Sequence, residues 1–378
     1  MEQVATEHTL AAGPDEVPAP LPLSPGKKLA FALVCLGLML IMTCALAEVG
    51  LHLNGQRPWR IKHVMWEVQP GGKYFAPHPR LGYTLLPGRF KIDWHPQGSF
   101  SATHLEPALT RLDHPVRATH PLDTYDPNSA KPEIWIFGCS WAYGSRLDDH
   151  QTFAWLLQEA LPQFEVVNFA VSGYGTLHAL LQLEGAIGKR TAPKVAIVTY
   201  ASFHDERNTF LRSRRKVVAP YCRLGPLVQP YARLDRDGNL IRAMALTEYT
   251  EFPLMRHSAM MHQLEIWYDQ TEERLYHSHQ VSKAIIHEMA KMCRKNGISL
   301  VVAGMANEPL TLELLEHARA QGILATDISL DMTIPAHTLM PYDHHPSALA
   351  NRRYAEKLEQ FLRPAMFKNE AHGTLAVR

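Results

Sequence analysis

The chain reads as an α/β protein built on a mostly parallel sheet of about five strands and preceded by one transmembrane helix. From residue 132 onward, short apolar runs alternate with stretches of helical periodicity, the pattern of strands buried on both faces under helices. Near the N-terminus, Leu29 to Ala47 runs 19 residues without a charge. The 46% apolar and 20% charged composition suits a packed globular body with one hydrophobic segment attached. With 38 Lys and Arg against 37 Asp and Glu, the chain lacks the basic surplus of a nucleic-acid binder, so such a partner is not expected.

Taken in order, residues 1–26 carry Pro14, Pro18, Pro20, Pro22 and Pro25 without apolar periodicity and are expected to be a disordered tail. Residues 27–49 follow as a transmembrane anchor, because the uncharged run behind Lys27 and Lys28 has the length that a bilayer core demands. Ala45-Leu46-Ala47 resembles a cleavage site, which keeps a cleaved signal sequence as the alternative. Arg57, Arg60 and Lys62 on the far side answer the two lysines, so charge does not decide orientation; a single-pass membrane protein with its catalytic domain periplasmic or extracytoplasmic is the expectation adopted. Segment 50–130, rich in Pro, Gly and His, is read as a connector packed on the main domain.

That domain spans 131–366, and a short tail covers 367–378. Its strands are expected at 133–138, 165–170, 194–200 and 298–304, with a weaker one at 322–328. Phe153, Leu156, Leu157 and Leu161 mark one helix by their spacing, and Val281, Ile285, Ile286, Met289 and Cys293 mark another that Asn296-Gly297 stops. The stretch 209–280 is long for one crossover and is treated as an insertion forming a lid or substrate wall. Within it, Arg212 to Lys216 reads as a solvated basic face, or as a contact for anionic lipid or acidic glycan. Cys139, Cys222 and Cys293, the cysteines outside the apolar run, have neither zinc nor disulfide-framework spacing.

Gly138-Cys139-Ser140-Trp141-Ala142-Tyr143-Gly144 follows directly on the first strand, which delivers a serine onto a glycine-flanked turn. A serine hydroxyl needs an imidazole to take its proton and donors to hold the developing oxyanion. Gly173 lies just past the second strand, and His204, Asp205 and Asn208 lie past the third. Tyr342-Asp343-His344-His345-Pro346 offers the carboxylate and imidazole. Ligands of open parallel sheets bind at the carboxyl ends of the strands, so these loops are expected on one rim.

On these residues the chain resembles the GDSL-type SGNH hydrolase family over about 132–365, in the form of a membrane-anchored bacterial-type member. The resemblance implies a flavodoxin-like three-layer sandwich. Gly138, Ser140 and Gly144 match the first family block, which implies Ser140 as nucleophile with its own amide in the oxyanion hole. Gly173 matches the second and implies the next donor. Asp343, His345 and Pro346 match the last, implying His345 as base oriented by Asp343. Two positions depart from the pattern: Cys139 stands where aspartate is usual, and Ala201 to Asn208 replaces a Gly-x-Asn-Asp turn, leaving His204 or Asn208 as third oxyanion donor.

The implied activity is hydrolysis of an acyl ester, expected to be an O-acetyl or other ester of a cell-envelope glycan or lipid, with no cofactor and no metal. An O-acyltransferase of exopolysaccharide assembly and a catalytically silent envelope scaffold subunit are the alternatives. Oligomeric state is not legible.

Overall fold

The computed structural model describes residues 24–60, 66–95, 98–219 and 227–367. Of the disordered tail expected over 1–26, residues 1–23 lie outside the described residues and Pro25 and Gly26 open a helix; 368–378 of the expected C-terminal tail, Lys62 and Cys222 also lie outside the described residues.

The chain forms two compact units. One comprises the described residues up to Trp59 together with Leu254–His262. It contains α1 (Pro25–Leu53), which is long and apolar enough to cross a membrane: its most apolar window has a mean hydropathy of 2.6 and none of that window is buried. Glu48, just past the uncharged run, accepts hydrogen bonds from the Ser258 hydroxyl (2.7 Å) and the amides of Ala259 (2.7 Å) and Met260 (3.0 Å). Its carboxylate thereby satisfies donors that open a helix starting at Ala259 and have no partner within it.

The other unit holds the remaining described residues, 60–253 and 263–367. It begins with β1 (Trp66–Gln69), β2 (Phe75–His78), β3 (Gly82–Leu85), β4 (Gly88–Trp94) and β5 (Gly98–His104), of which β1, β4 and β5 form an antiparallel sheet and β2 and β3 a hairpin. A single turn, α2 (Pro107–Thr110), follows. The central layer then alternates β6 (Glu133–Phe137), α3 (Ser140–Tyr143), α4 (Phe153–Ala160), β7 (Glu165–Asn168), α5 (Thr176–Ala186) and β8 (Val195–Tyr200). Beyond β8 come α6 (His204–Thr209), α7 (Arg212–Val218), the hairpin β9 (Val228–Leu234) and β10 (Leu240–Leu246), and, from Gln263 onward, α8 (Ala259–Leu275). Then α9 (Ser278–Lys295), β11 (Ser299–Ala306), α10 (Pro309–Ala320), β12 (Leu324–Leu330), the short antiparallel pair β13 (Thr338–Leu339) and β14 (Asp343–Pro346), and α11 (Ala348–Phe367) complete it.

Strands β12, β11, β8, β6 and β7 lie side by side in that order, every neighbouring pair parallel. The α/β class and the five-stranded parallel sheet expected from the sequence are therefore present. The chain steps from β6 out to β7 and back past β6 to β8, so the strand order reverses between β6 and β8, the point at whose carboxyl ends open parallel sheets bind ligands.

Strand periodicity divides the core into two layers. Ile134 and Ile136 point into a cluster with Phe153, Leu157, Tyr354 and Leu358 of α4 and α11, while Trp135 and Phe137 point into one with Leu177, Ile285 and Leu314 of α5, α9 and α10. Full burial of each such side chain stabilises by about 1.5–3 kcal/mol. The first cluster also includes Val68, Tyr74, Leu85, Phe90, Ile92 and Phe100, so the antiparallel strands share the core of the parallel sheet. The fifth strand reads weakly in the sequence because β12 is an edge: Leu324 is 44% exposed and polar residues alternate along it.

Arg117, 1% exposed, joins these parts. Its guanidinium donates to the carbonyls of Tyr143 (2.7 Å), Gly144 (3.0 Å) and Leu147 (2.8 Å), pairs with Asp149 (3.1 Å), and lies 4.3 Å from the centre of the Tyr143 ring. Replacing it by methionine takes the guanidinium donors from all four groups and leaves the Gly144 carbonyl only the Leu147 amide (3.2 Å) and Asp149 Oδ1 only the Thr103 amide (3.0 Å). Arg117→Met is expected to lower unfolding stability by about 3–5 kcal/mol, read by chemical denaturation; a loss below 1 kcal/mol would show that the clamp carries little.

Candidate active site

Strand β6 ends at Phe137, and Gly138 turns the chain into α3. A Cβ on Gly138 would lie 2.0 Å from Thr199 Oγ1 of β8, so only glycine allows this close crossing. Ser140 opens α3 and is buried (7% exposed), with Cys139 before it at 1%. The turn is held from behind by Arg117, by Asn168 Nδ2 donating to the Ala142 carbonyl (3.1 Å), and by His104 Nε2 against the Tyr143 hydroxyl (2.9 Å).

Strand β14, which carries His345, packs on α3, so the residues expected as nucleophile and base occupy facing segments. Among the described residues no hydrogen bond joins the Ser140 hydroxyl to the His345 ring. His345 Nδ1 lies 2.5 Å from Asp343 Oδ1, which also accepts from the His345 amide (2.8 Å). A carboxylate at Nδ1 holds the ring proton there and leaves Nε2 as the basic nitrogen. The other carboxylate oxygen of Asp343 forms an ion pair with Arg146, whose guanidinium stacks on Trp94 of β4. Burial first, then Arg146 and Arg207, lower the His345 imidazole from 6.5 to about 3, so the ring is neutral at pH 7 and free to accept a proton. His344 beside it is exposed.

The loop after β7 brings Gly173 to the same rim. Its φ of +89° and the Tyr83 hydroxyl, 2.4 Å from where a Cβ would be, both require glycine. Tyr83 donates to the Ser172 carbonyl (2.7 Å), and the Ser145 and Ser172 hydroxyls meet at 2.6 Å, tying this loop to the turn after α3. The Tyr83 bond polarises the very peptide whose N–H belongs to Gly173. Among the described residues the Ser140 and Gly173 amides donate to no protein acceptor.

The loop after β8 places its two candidate donors differently. His204 is buried, with Nδ1 3.3 Å from the Thr176 hydroxyl and Nε2 buried without a partner; burial, Arg207, His178 and Arg214 hold its pKa well below 6.5. Asn208 is engaged at both ends, its oxygen accepting from the Leu177 amide (2.8 Å) and its nitrogen donating to Ser282 (2.8 Å). Phe203, just before His204, packs edge-on against Trp141, next to Ser140. Asp205 turns inward to Tyr200 (2.6 Å), His279 (2.9 Å) and Ser282 (2.5 Å).

The basic run at 212–216 differs from the solvated face expected. Arg212 and Lys216 pair with Glu265 and Arg212 also with Asp269 (3.5 Å), Arg214 donates to the Gly173 carbonyl (2.6 Å) and Arg215 to that of Phe210 (3.1 Å), because α7 packs its cations onto carbonyls and two buried carboxylates. Among the described residues no group of three or more His, Cys, Asp or Glu side chains is gathered as a metal site. Arg117, Arg146, Trp94, Tyr83 and Arg207 escape a reading of the sequence. Each acts across a long separation, 89 residues between Tyr83 and Ser172, which no local pattern encodes.

Fold and rim together define an α/β protein with a serine, a carboxylate-held imidazole and unpaired amides at the switch point of a parallel sheet. No family model matches the chain, and no curated protein does. Among solved structures it is similar to TesA (13% identity, covering 62% of this chain and 99% of that one, TM-score 0.38). It is also similar to a member of the lipolytic protein G-D-S-L family from Veillonella parvula (11%, 61% and 98%, TM-score 0.36) and to the psychrotrophic esterase EstA from Pseudoalteromonas sp. (9%, 62% and 99%, TM-score 0.35).

Arg146 lowers the His345 pKa both by its own charge and by neutralising Asp343. Arg146→Gln removes both effects, so the His345 titration, followed by NMR of the ring protons, is expected to move upward by about one pH unit or more. An unchanged or lower midpoint would remove Arg146 from that role.

Proposed function

We propose that this chain is a serine esterase of the GDSL-type SGNH hydrolase family. The reading is supported above all by one arrangement: an imidazole held through Nδ1 by Asp343, on a strand packed against the helix that begins with Ser140. In it, Ser140 Oγ bonds to the ester carbonyl carbon as its proton passes to His345 Nε2. The tetrahedral oxyanion is held by the amides of Ser140 and Gly173 and by the ring N–H of His204, which Thr176 favours at Nε2 by donating to Nδ1. Collapse expels the alcohol, which takes the proton from His345. Water, deprotonated by the same ring, then releases the acyl group as a carboxylic acid.

His204 fills the third donor position in this scheme, since both ends of the Asn208 amide are engaged. The substrate class is an acyl ester, O-acetyl among them, of a cell-envelope glycan or lipid. This follows from α1 as a retained anchor that holds the enzyme at a membrane with its catalytic domain on the extracytoplasmic side.

A fluorophosphonate probe is expected to label the protein at Ser140, and Ser140→Ala and His345→Ala to abolish both labelling and turnover of an acetyl ester while the far-UV spectrum is unchanged. Full turnover by Ser140→Ala would refute the assignment. His204→Ala is expected to cost about 10²-fold in kcat, as loss of one oxyanion donor does. A near-normal rate there, with a comparable loss in Asn208→Ala, would transfer the role.

A further inference from the structure

Arg207 and Arg214 stand at the candidate site without counter-ions. Arg207 Nη1 donates to the Tyr174 carbonyl (2.9 Å), its carbon lies 4.4 Å from the centre of the Phe203 ring, and its Nε is buried with no partner. Arg214 Nη2 donates to the carbonyl of Gly173. Both guanidinium groups thus sit on the loop that carries a proposed oxyanion donor. Among the described residues neither forms an ion pair; Glu206 acts on Arg214 only from a distance, whereas Arg146, the third cation of the rim, is neutralised by Asp343.

Two like charges held together and partly desolvated destabilise a fold unless something offsets them. Their mutual influence is visible: burial and Arg207 bring Arg214 down to about 10, and Arg207 acts on both His345 and His204. The carbonyls satisfy one N–H of each group but supply no negative charge. A guanidinium presents five donors in a planar fork suited to carboxylate or phosphate, so the missing partner has a defined chemistry.

We infer that Arg207 and Arg214 form an anion subsite beside Ser140, and that the preferred substrate is an ester bearing a carboxylate or phosphate close to the acyl group. This deepens the esterase reading and rests on it for its kinetic test. The rival role for the same cations is stabilising the tetrahedral oxyanion itself, which would accelerate charged and neutral esters equally.

The test uses the full chain in detergent with 3-acetoxybenzoate and 3-acetoxybenzamide, in each of which the acetyl ester is the one ester bond and which differ in one negative charge. The wild-type ratio of kcat/KM, charged over neutral, is expected to exceed tenfold. In Arg207→Gln or Arg214→Gln that ratio is expected to fall at least tenfold, and in Arg214→Lys to be largely retained; taking a ratio cancels general damage to the loop. A wild-type ratio near one, or one that the Gln variants leave unaltered, overturns the inference while the esterase reading stands. Should the Gln variants fail to fold, the wild-type ratio must fall toward one with rising sodium chloride, and independence of salt overturns it. If the fluorophosphonate leaves Ser140 unlabelled and neither ester turns over, the esterase reading fails on its own. The subsite is then decided by calorimetric titration with inorganic phosphate against a chloride background: saturable binding that Arg214→Gln abolishes supports it, and no saturable binding overturns it.

Discussion

The buried guanidinium of Arg117 is the interaction on which the rest of the rim depends. A four-residue helix such as α3 cannot hold its own shape, because one turn closes too few hydrogen bonds to offset the backbone entropy it removes. Arg117 supplies what the helix lacks, donating to the carbonyls of Tyr143, Gly144 and Leu147 while Asp149 neutralises it. Ser140 is thereby presented by a clamp that comes from outside the parallel sheet, and a planar fork with five donors is the one side chain able to serve so many acceptors at once.

The same principle recurs at the other two loops. Tyr83 of β3 reaches the Ser172 carbonyl and so aims the Gly173 peptide, and Trp94 of β4 carries Arg146, which pairs with Asp343, which holds His345. Three contacts from the part of the chain before β6 therefore pin three loops that the parallel sheet only delivers to the same edge. The sheet sets where the loops end; the segment before it sets which way their polar groups face.

Electrostatics at the rim run in one direction. Burial first, and then Arg146 and Arg207 at His345 and Arg207 and Arg214 at His204, depress these imidazoles. Arg146 is matched by Asp343, whereas the other two are matched only by carbonyl dipoles. A site of this polarity favours negative charge, both in a developing oxyanion and in a ligand.

How much of this was legible depends on whether a local pattern encoded it. Alternation and period, which are properties of neighbours in the chain, were enough for the α/β class, the five parallel strands and the apolar N-terminal helix, and strand-end glycines marked the turns at Ser140 and Gly173. Even there β12 read weakly, since an edge strand buries one face only. The choice between His204 and Asn208 was not local. What bears on it is that Leu177 and Ser282 engage both ends of the Asn208 amide, and those partners lie 31 and 74 residues away. Nor did the sequence reveal that Arg212 to Lys216 would be drawn inward, or that Arg117, Tyr83 and Trp94 would brace the rim. By itself the sequence determined which residue types reach the carboxyl edge of the sheet. Only the tertiary structure decided which of their donors and charges are left without partners, because that depends on contacts between segments with no shared period.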